Sequence, residues 1–172
     1  MRRATGPVTP TASCTGERYK VGLYADLGRI KRREAHTLDG DFPVTCEMPV
    51  RGIATSGWRG RSFSLGIADS VTVLARTAAG ADAAATMIAN SVNVEDPAIL
   101  RRPACELKDD TDLGDRLVTV AVGPLSKDRV RRALDAGMVT ARELTQRGLI
   151  HGAVLWLQDT NRVIGAEAEQ EV

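Results

Sequence analysis

The sequence predicts an α+β fold, with helices packed on a mixed or antiparallel sheet. Strand-like and helix-like segments succeed one another without the regular strand–helix–strand rhythm of a doubly wound sheet. Apolar residues make up 43% of the chain and aromatic residues only 3%, so the core must be built from aliphatic side chains. We expect a single domain at residues 17–165, between a disordered tail at 1–16 and a frayed tail at 166–172.

The N-terminal third predicts two strands joined by a polar connection. Glu17–Asp26 alternates apolar and polar residues, which is typical of a strand with one buried face. The charged stretch Leu27–Asp41 is expected to be a solvated loop. Pro43–Ala54 predicts a strand at a sheet edge, because proline cannot donate to a ladder of hydrogen bonds.

The middle of the chain carries the strongest signals of local structure. Ser70–Ala75 contains three consecutive β-branched residues and predicts a central strand. Thr77 is a suitable N-cap for the alanine-rich helix that follows. Asn90 tolerates the left-handed conformation and is expected to end that helix.

The C-terminal half predicts two short helices between strands. A strand at Val118–Val122 precedes a helix that Ser126 caps and Gly137 ends. A second helix is expected at Thr140–Gln146, and Leu149–Gln158 forms the last long strand before a tight turn.

Charge, hydropathy and cysteine content restrict the classes of partner. The net charge is +1 with dispersed basic residues, which argues against nucleic acid and anionic membrane surfaces as partners. No apolar run reaches the roughly 18 residues of a membrane span. The odd number and wide spacing of the three cysteines predict reduced thiols and a cytoplasmic protein. The partner that we expect is a small-molecule ligand, and a homodimer is one assembly left open.

The segment Gly52–Ser64 combines glycines, hydroxyl groups and guanidinium groups, which suits a ligand that carries phosphate or carboxylate. The alternative is a glycine-rich hairpin whose arginines face water. Neither Walker nor Rossmann spacing is present. The candidate ligand-binding residues are Thr55, Ser56, Gly57, Arg61 and Ser62.

The alanine-rich helix carries a candidate metal site. Asp82 and Thr86 are four residues apart, so their oxygen atoms project from one helix face about one turn apart. A hard cation such as Mg²⁺ accepts such oxygen ligands and completes its shell with water and ligand phosphates. Both residues also have ordinary structural uses in a helix, so spacing alone leaves this assignment open.

These motifs resemble the ApbE-like superfamily, which is related to FAD:protein FMN transferases, and in particular a shorter uncharacterised branch of it. The resemblance covers Tyr19–Gly165 and rests on the Ala-Asp-Ala segment at 81–83 with Thr86, and on Thr55-Ser56-Gly57 as the family's Ser-Gly turn. It implies the C-terminal portion of the family fold, Mg²⁺ bound by Asp82 and Thr86, and FAD or FMN as the ligand.

The chain departs from the family pattern in two respects. The family's histidine before the central strand has no counterpart in Phe63–Asp69, so standard flavin transfer to a protein threonine is not expected. Asp69 is the candidate catalytic residue there, with a capping or pairing role as the alternative. The additional N-terminal lobe also has no counterpart, and from this we expect an N-terminally truncated chain. His36 and His151 lack the partners of a nucleophilic triad and are expected to be surface or structural residues.

Three functions therefore remain open from the sequence. The first is a Mg²⁺-dependent, transferase-like enzyme acting on a flavin-related ligand. The second is a non-catalytic binding or interaction protein that retains the fold without the transfer chemistry. The third is an inactive truncated fragment.

Overall fold

A computed structural model describes residues 18–23 and 40–165, with side chains from residue 44 onward. All paired strands in this part of the chain are antiparallel, and two helices pack on them, which confirms the predicted α+β class. The two predicted tails, most of the charged connection at 27–41 and His36 lie outside the described residues. No helix among the described residues has both the length and the apolar composition needed to cross a membrane.

A four-stranded antiparallel sheet forms the centre of the fold. Its strands in spatial order are β3 (Gly52–Ser56), β4 (Ser70–Ala75), β7 (Ile150–Leu157) and β8 (Thr160–Gly165). Every residue of β4 is buried, because neighbouring strands flank it and other parts of the chain cover both faces of the sheet. The predicted central strand is confirmed with its bounds unchanged.

Helix α1 spans Ala78–Ser91 and begins where the sequence predicts. The Thr77 hydroxyl accepts a hydrogen bond from the Gly80 amide at 3.0 Å, which satisfies a free N–H group of the first turn. The helix buries a stripe of small side chains against the sheet and ends one residue after Asn90. The predicted left-handed Asn90 is wrong, since the one non-glycine residue with positive φ in the described part of the chain is Gln158.

Helix α2 spans Lys127–Gln146, with Ser126 as its N-cap, and is one continuous helix where two were predicted. Gly137 is buried inside it and does not end it. A Cβ atom at this position would lie 2.4 Å from Val92 Cγ2 and 2.9 Å from Leu155 Cδ2. The glycine therefore allows α2 to approach α1 and the sheet closely, and Gly148, with a φ of 66°, follows the helix as predicted.

Two hairpins complete the described fold. Strand β1 (Arg18–Leu23) pairs with β2 (Gly40–Thr45), and β5 (Ile99–Pro103) pairs with β6 (Leu117–Val122). The single predicted strand Pro43–Ala54 is thus wrong, because a turn after Thr45 divides it between β2 and β3.

The main core lies between the helices and one face of the central sheet and is aliphatic, as the composition predicts. A smaller cluster on the opposite face joins Val44 and Val50 to Leu74. Cys46 is disulfide-bonded, which corrects the prediction of three reduced thiols, whereas Cys105 is free and exposed. Wide spacing in the sequence did not exclude a disulfide, because folding can bring distant segments together.

Candidate functional site

The candidate site is built around the connection between β3 and β4, which we call the β3–β4 loop (residues 57–69). Because β3, β4 and β7 are antiparallel, the end of β3, the start of β4 and the end of β7 lie at one edge of the sheet. The turn between β7 and β8, formed by Gln158 and Asp159, lies at the same edge. This placement brings the loop and the turn into contact.

Asp69 connects the loop to that turn. Its carboxylate accepts hydrogen bonds from the Trp58 indole N–H at 3.0 Å and from the Gln158 amide at 2.6 Å, and it lies 3.8 Å from Arg59 Nε. Asp69 is 7% exposed, so these interactions are largely shielded from water. The structure thus gives Asp69 the pairing role that the sequence left open as an alternative, and its catalytic role stays a prediction.

Gln158 adopts a left-handed backbone conformation with a φ of 51°, which is unfavourable for a residue other than glycine. Three hydrogen bonds hold this residue in place. Its amide donates to Asp69, its side-chain nitrogen donates to the Gly123 carbonyl at 3.0 Å, and its side-chain oxygen accepts from the Leu125 amide at 3.4 Å. The turn therefore links the β3–β4 loop to the connection between β6 and α2.

Trp58 and Arg59 form a stacked pair at the start of the loop. The Arg59 guanidinium carbon lies 4.7 Å from the centre of the Trp58 ring, within the range of a cation–π interaction. Both side chains also face the Asp69 carboxylate. Arg59 is therefore engaged by the protein itself.

The second half of the loop is fixed to the C-terminal end of α1. The Asn90 side-chain oxygen accepts from the Ser64 hydroxyl at 3.2 Å and from the Leu65 amide at 2.9 Å. Gly66 packs on the helix so closely that a Cβ atom there would lie 2.0 Å from the Ala89 carbonyl oxygen. The loop is therefore held both at its start, through Trp58, and in its middle.

The predicted ligand-binding residues lie along the first part of this loop and the strand before it. Thr55 is exposed, and its hydroxyl is 2.9 Å from that of Thr72 on the neighbouring strand. Ser56 is partly buried. Gly57 is buried, and a Cβ atom there would lie 2.5 Å from the Asp69 carbonyl oxygen, so close packing explains this glycine.

Arg61 and Ser62 are exposed at the outer part of the loop. Their side chains are accessible to solvent, between the anchored residues Trp58 and Ser64. The structure therefore brings Thr55, Ser56 and Gly57 together with Asp69 at one sheet edge and leaves Arg61 and Ser62 accessible beside them.

The predicted metal ligands Asp82 and Thr86 are exposed on the outer side of α1. Asn90 continues the same row of side chains, so Thr86 lies about 6 Å along the helix axis from the residue that holds the loop, and Asp82 about 12 Å. Across the described part of the chain, no group of three or more His, Cys, Asp or Glu residues could hold a metal ion. A cation at Asp82 and Thr86 would need further ligands from water or from a bound molecule.

Sequence reasoning missed the residues that organise the loop. Trp58, Gln158 and Asn90 make the contacts that fix it, although none of them belongs to a recognisable motif. Trp58 was detectable in principle, because it is one of two tryptophans in a chain poor in aromatic residues and lies inside the polar segment.

Chemically, this edge of the sheet offers one accessible guanidinium group and several hydroxyl groups on a firmly held loop. Such an arrangement can bind an anionic group of a small molecule, because rigid scaffolds commonly present binding residues on anchored loops.

Comparison with known sequences identifies relatives over most of the chain. The sequence model of a family described as AbpE bacteria matches residues 11–165. A UPF0280 protein from Methanothermobacter thermautotrophicus is 40% identical over 113 residues, covering 65% of this chain and 41% of its own. UPF0280 proteins from Methanopyrus kandleri and Methanospirillum hungatei are 39% and 37% identical over 90 and 92 residues, covering 52% and 53% of this chain and 34% and 35% of their own. The matched region therefore spans well under half the length of these relatives, and no solved structure matches the chain.

Proposed function

We propose that this chain, which belongs to the family described as AbpE bacteria, binds a small ligand that carries phosphate or carboxylate. The ligand would bind on the β3–β4 loop, together with Mg²⁺ on α1. The observation that carries the proposal is the firmly anchored loop with an exposed guanidinium group at its centre. Asp69 holds the start of the loop through Trp58, Asn90 holds its middle at Leu65, and Arg61 is exposed between these two points. Little conformational entropy is then lost when an anion binds Arg61.

The roles of the two loop arginines differ. Arg59 stacks on Trp58 and faces Asp69, so its charge is partly neutralised by the protein. Arg61 is exposed, and its planar group suits bidentate contact with a phosphate or carboxylate. Arg61 is therefore the principal anion-binding residue of the proposal, and the hydroxyl groups of Thr55, Ser56 and Ser62 are the supporting donors.

Asp82 and Thr86 are the residues that would hold Mg²⁺. A carboxylate and a hydroxyl oxygen one turn apart fit two positions of its octahedral shell, and Mg²⁺ commonly keeps waters and ligand phosphates in the others. The ion would neutralise phosphate charge on the ligand. Because the resemblance to flavin transferases rests on these residues, FAD and FMN are the ligands proposed first.

Two kinds of activity remain within the proposal. One is a Mg²⁺-dependent, transferase-like reaction on the bound ligand, with Asp69 as the candidate catalytic residue. The other is binding without turnover, and a specific observation favours it. The β3–β4 loop contains no histidine, and its one carboxylate, Asp69, is buried and engaged by Trp58 and Gln158.

Thermal unfolding with and without Mg²⁺ and FAD tests the binding proposal. A ligand present at 100 times its Kd stabilises the native state by about 2.7 kcal/mol, which corresponds to a rise in midpoint of about 5–10 °C for a domain of this size. We expect Arg61→Gln to lose the rise with FAD, and Asp82→Asn to lose the additional rise with Mg²⁺. Arg142→Gln, at an exposed position on α2, is the control and should behave as the wild type.

Chromatography of FAD after incubation with the protein separates the two activities. Mg²⁺-dependent loss of FAD that Asp82→Asn abolishes would support an enzyme. A midpoint shift without conversion of FAD would support a binding protein. A cooperative transition that neither additive moves would refute the flavin and Mg²⁺ assignment.

A further inference from the structure

We propose a separate oxyanion site, for a phosphate or carboxylate group, formed by Arg101 of β5 and Thr119 of β6. It does not depend on the function proposed for the β3–β4 loop. The two residues are register partners in the β5–β6 hairpin, so their side chains start from the same face of it, with Cβ atoms about 5 Å apart.

Arg101 is a mostly buried cation whose charge is only partly compensated. Its side chain is 15% exposed, and the nearest carboxylate among the described residues, that of Glu95, lies 3.8 Å away on a side chain that is 91% exposed. The guanidinium group donates one hydrogen bond, to the Asn93 side-chain oxygen at 2.5 Å. A neutral amide and an ion pair to a largely solvated carboxylate compensate only part of the cost of burying this charge.

Thr119 supplies a second group that is suited to an anion. It is 4% exposed, and its hydroxyl oxygen is buried without a hydrogen-bond partner in the part of the chain that the structure describes. Its backbone amide donates to the Ser64 carbonyl at 2.9 Å, which places this part of β6 beside the β3–β4 loop. Buried hydroxyl groups are nearly always hydrogen-bonded, so this one calls for an acceptor.

One oxyanion would satisfy both groups together. It would accept from the Thr119 hydroxyl and from the free N–H groups of Arg101, and it would neutralise the guanidinium charge. Water could accept from the hydroxyl but would bring no charge to compensate the remainder of the guanidinium charge. The charge therefore favours an anion over water.

Arg102, the next residue of β5, differs from Arg101 in both burial and ion pairing. Arg102 is 50% exposed, and its guanidinium lies 2.9 Å from the Glu106 carboxylate. Its charge is compensated by an ordinary surface ion pair. Arg102 is thus a matched control, since the two arginines are adjacent in sequence but differ in burial and pairing.

The test is thermal unfolding of the full chain in sodium phosphate compared with sodium chloride at equal ionic strength. We expect phosphate to raise the wild-type midpoint by on the order of 5 °C at saturation. Thr119→Val conserves the volume of the side chain and removes the hydroxyl. It should be at least as stable as the wild type in chloride, because an unpartnered polar group is lost, and should show at most half the phosphate-dependent rise.

Arg101→Gln should abolish the rise, whereas Arg102→Gln and Arg61→Gln should retain it. Retention in Arg61→Gln separates this site from the one proposed on the β3–β4 loop. An equal rise in all variants would reveal a general salt effect and overturn the proposal, as would no rise in the wild type. Parallel samples with acetate and with AMP identify the source of the anion, since a larger rise with AMP would assign the site to the phosphate of a larger molecule.

Discussion

Replacement of Asp69 by alanine should destabilise the protein strongly, because this carboxylate accepts hydrogen bonds from two segments that are distant in sequence. Its acceptor atoms bind the Trp58 indole at 3.0 Å and the Gln158 amide at 2.6 Å, and Asp69 itself is buried. Alanine would remove both acceptors and leave the two donors without them. The left-handed conformation of Gln158 would also lose one of the contacts that maintain it.

The expected magnitude follows from the number of donors left unpaired. Each donor left without an acceptor costs about 1–3 kcal/mol, so the loss of both acceptors in Asp69→Ala should lower the free energy of unfolding by about 2–6 kcal/mol. Asp69→Asn keeps one carbonyl oxygen and turns the other acceptor into a donor. It should therefore lower the free energy of unfolding by about 1–3 kcal/mol, the cost of one donor left without an acceptor.

Equilibrium unfolding in urea measures both variants, with circular dichroism for the helices and tryptophan fluorescence for the environment of Trp58. Asp128→Asn is the control, because Asp128 forms exposed ion pairs with Arg131 and Arg132 on α2. Such pairs contribute at most about 1 kcal/mol. If Asp69→Ala costs no more than this control, Asp69 does not hold the loop as the structure indicates.

The same variants bear on catalysis. Asp69→Asn should remain folded at low temperature, so its activity can be measured in the native state. If the protein converts FAD and Asp69→Asn abolishes conversion while the FAD-dependent rise in midpoint is retained, Asp69 has a chemical role beyond its structural one.

Two further predictions concern α2 and the exposed thiol. Gly137→Ala should lower the free energy of unfolding by about 1 kcal/mol, because the clash of its Cβ with Val92 and Leu155 outweighs the gain in helix propensity. A urea midpoint above that of the wild type would contradict this. The hydrogen bond from the Cys105 thiol to Asp115, at 3.2 Å, raises the pKa of the thiol, so less thiolate is present at a given pH. Asp115→Asn should therefore speed alkylation of Cys105 by iodoacetamide near pH 8, with Cys105→Ser as the background, and an unchanged rate would refute the proposed effect of the carboxylate.

Local sequence signals predicted the elements whose formation depends on neighbouring residues. The strand Ser70–Ala75, which contains three β-branched residues, and the Thr77 cap are both found where predicted. Errors arose where long-range packing overrides local preference. Gly137 has a low helix propensity, yet α2 continues through it. A glycine stands there because close packing against Val92 and Leu155 leaves no room for a side chain.

The candidate site shows the same division. The composition of Gly52–Ser64 predicted a polar loop rich in anion-binding groups, and the exposed position of Arg61 is consistent with that use. The contacts that hold the loop come from Asn90 and Gln158, which are distant in the chain from the residues they bind. Hydrogen bonds between such distant residues leave no periodic or local pattern in a single sequence.

The sequence by itself determined the α+β class, the aliphatic core, the central strand and the start of both helices, because these depend on composition, hydrophobic spacing and capping residues within a few positions of each other. Only the tertiary structure decided that Asp69 is buried and bonded to Trp58 and Gln158, and that Arg101 and Thr119 are register partners in the β5–β6 hairpin. Those arrangements depend on strand order and register, which bring together groups from 11 to 89 residues apart. Burial and pairing at that range are properties of the packed chain, and they determine which polar groups remain available to a ligand.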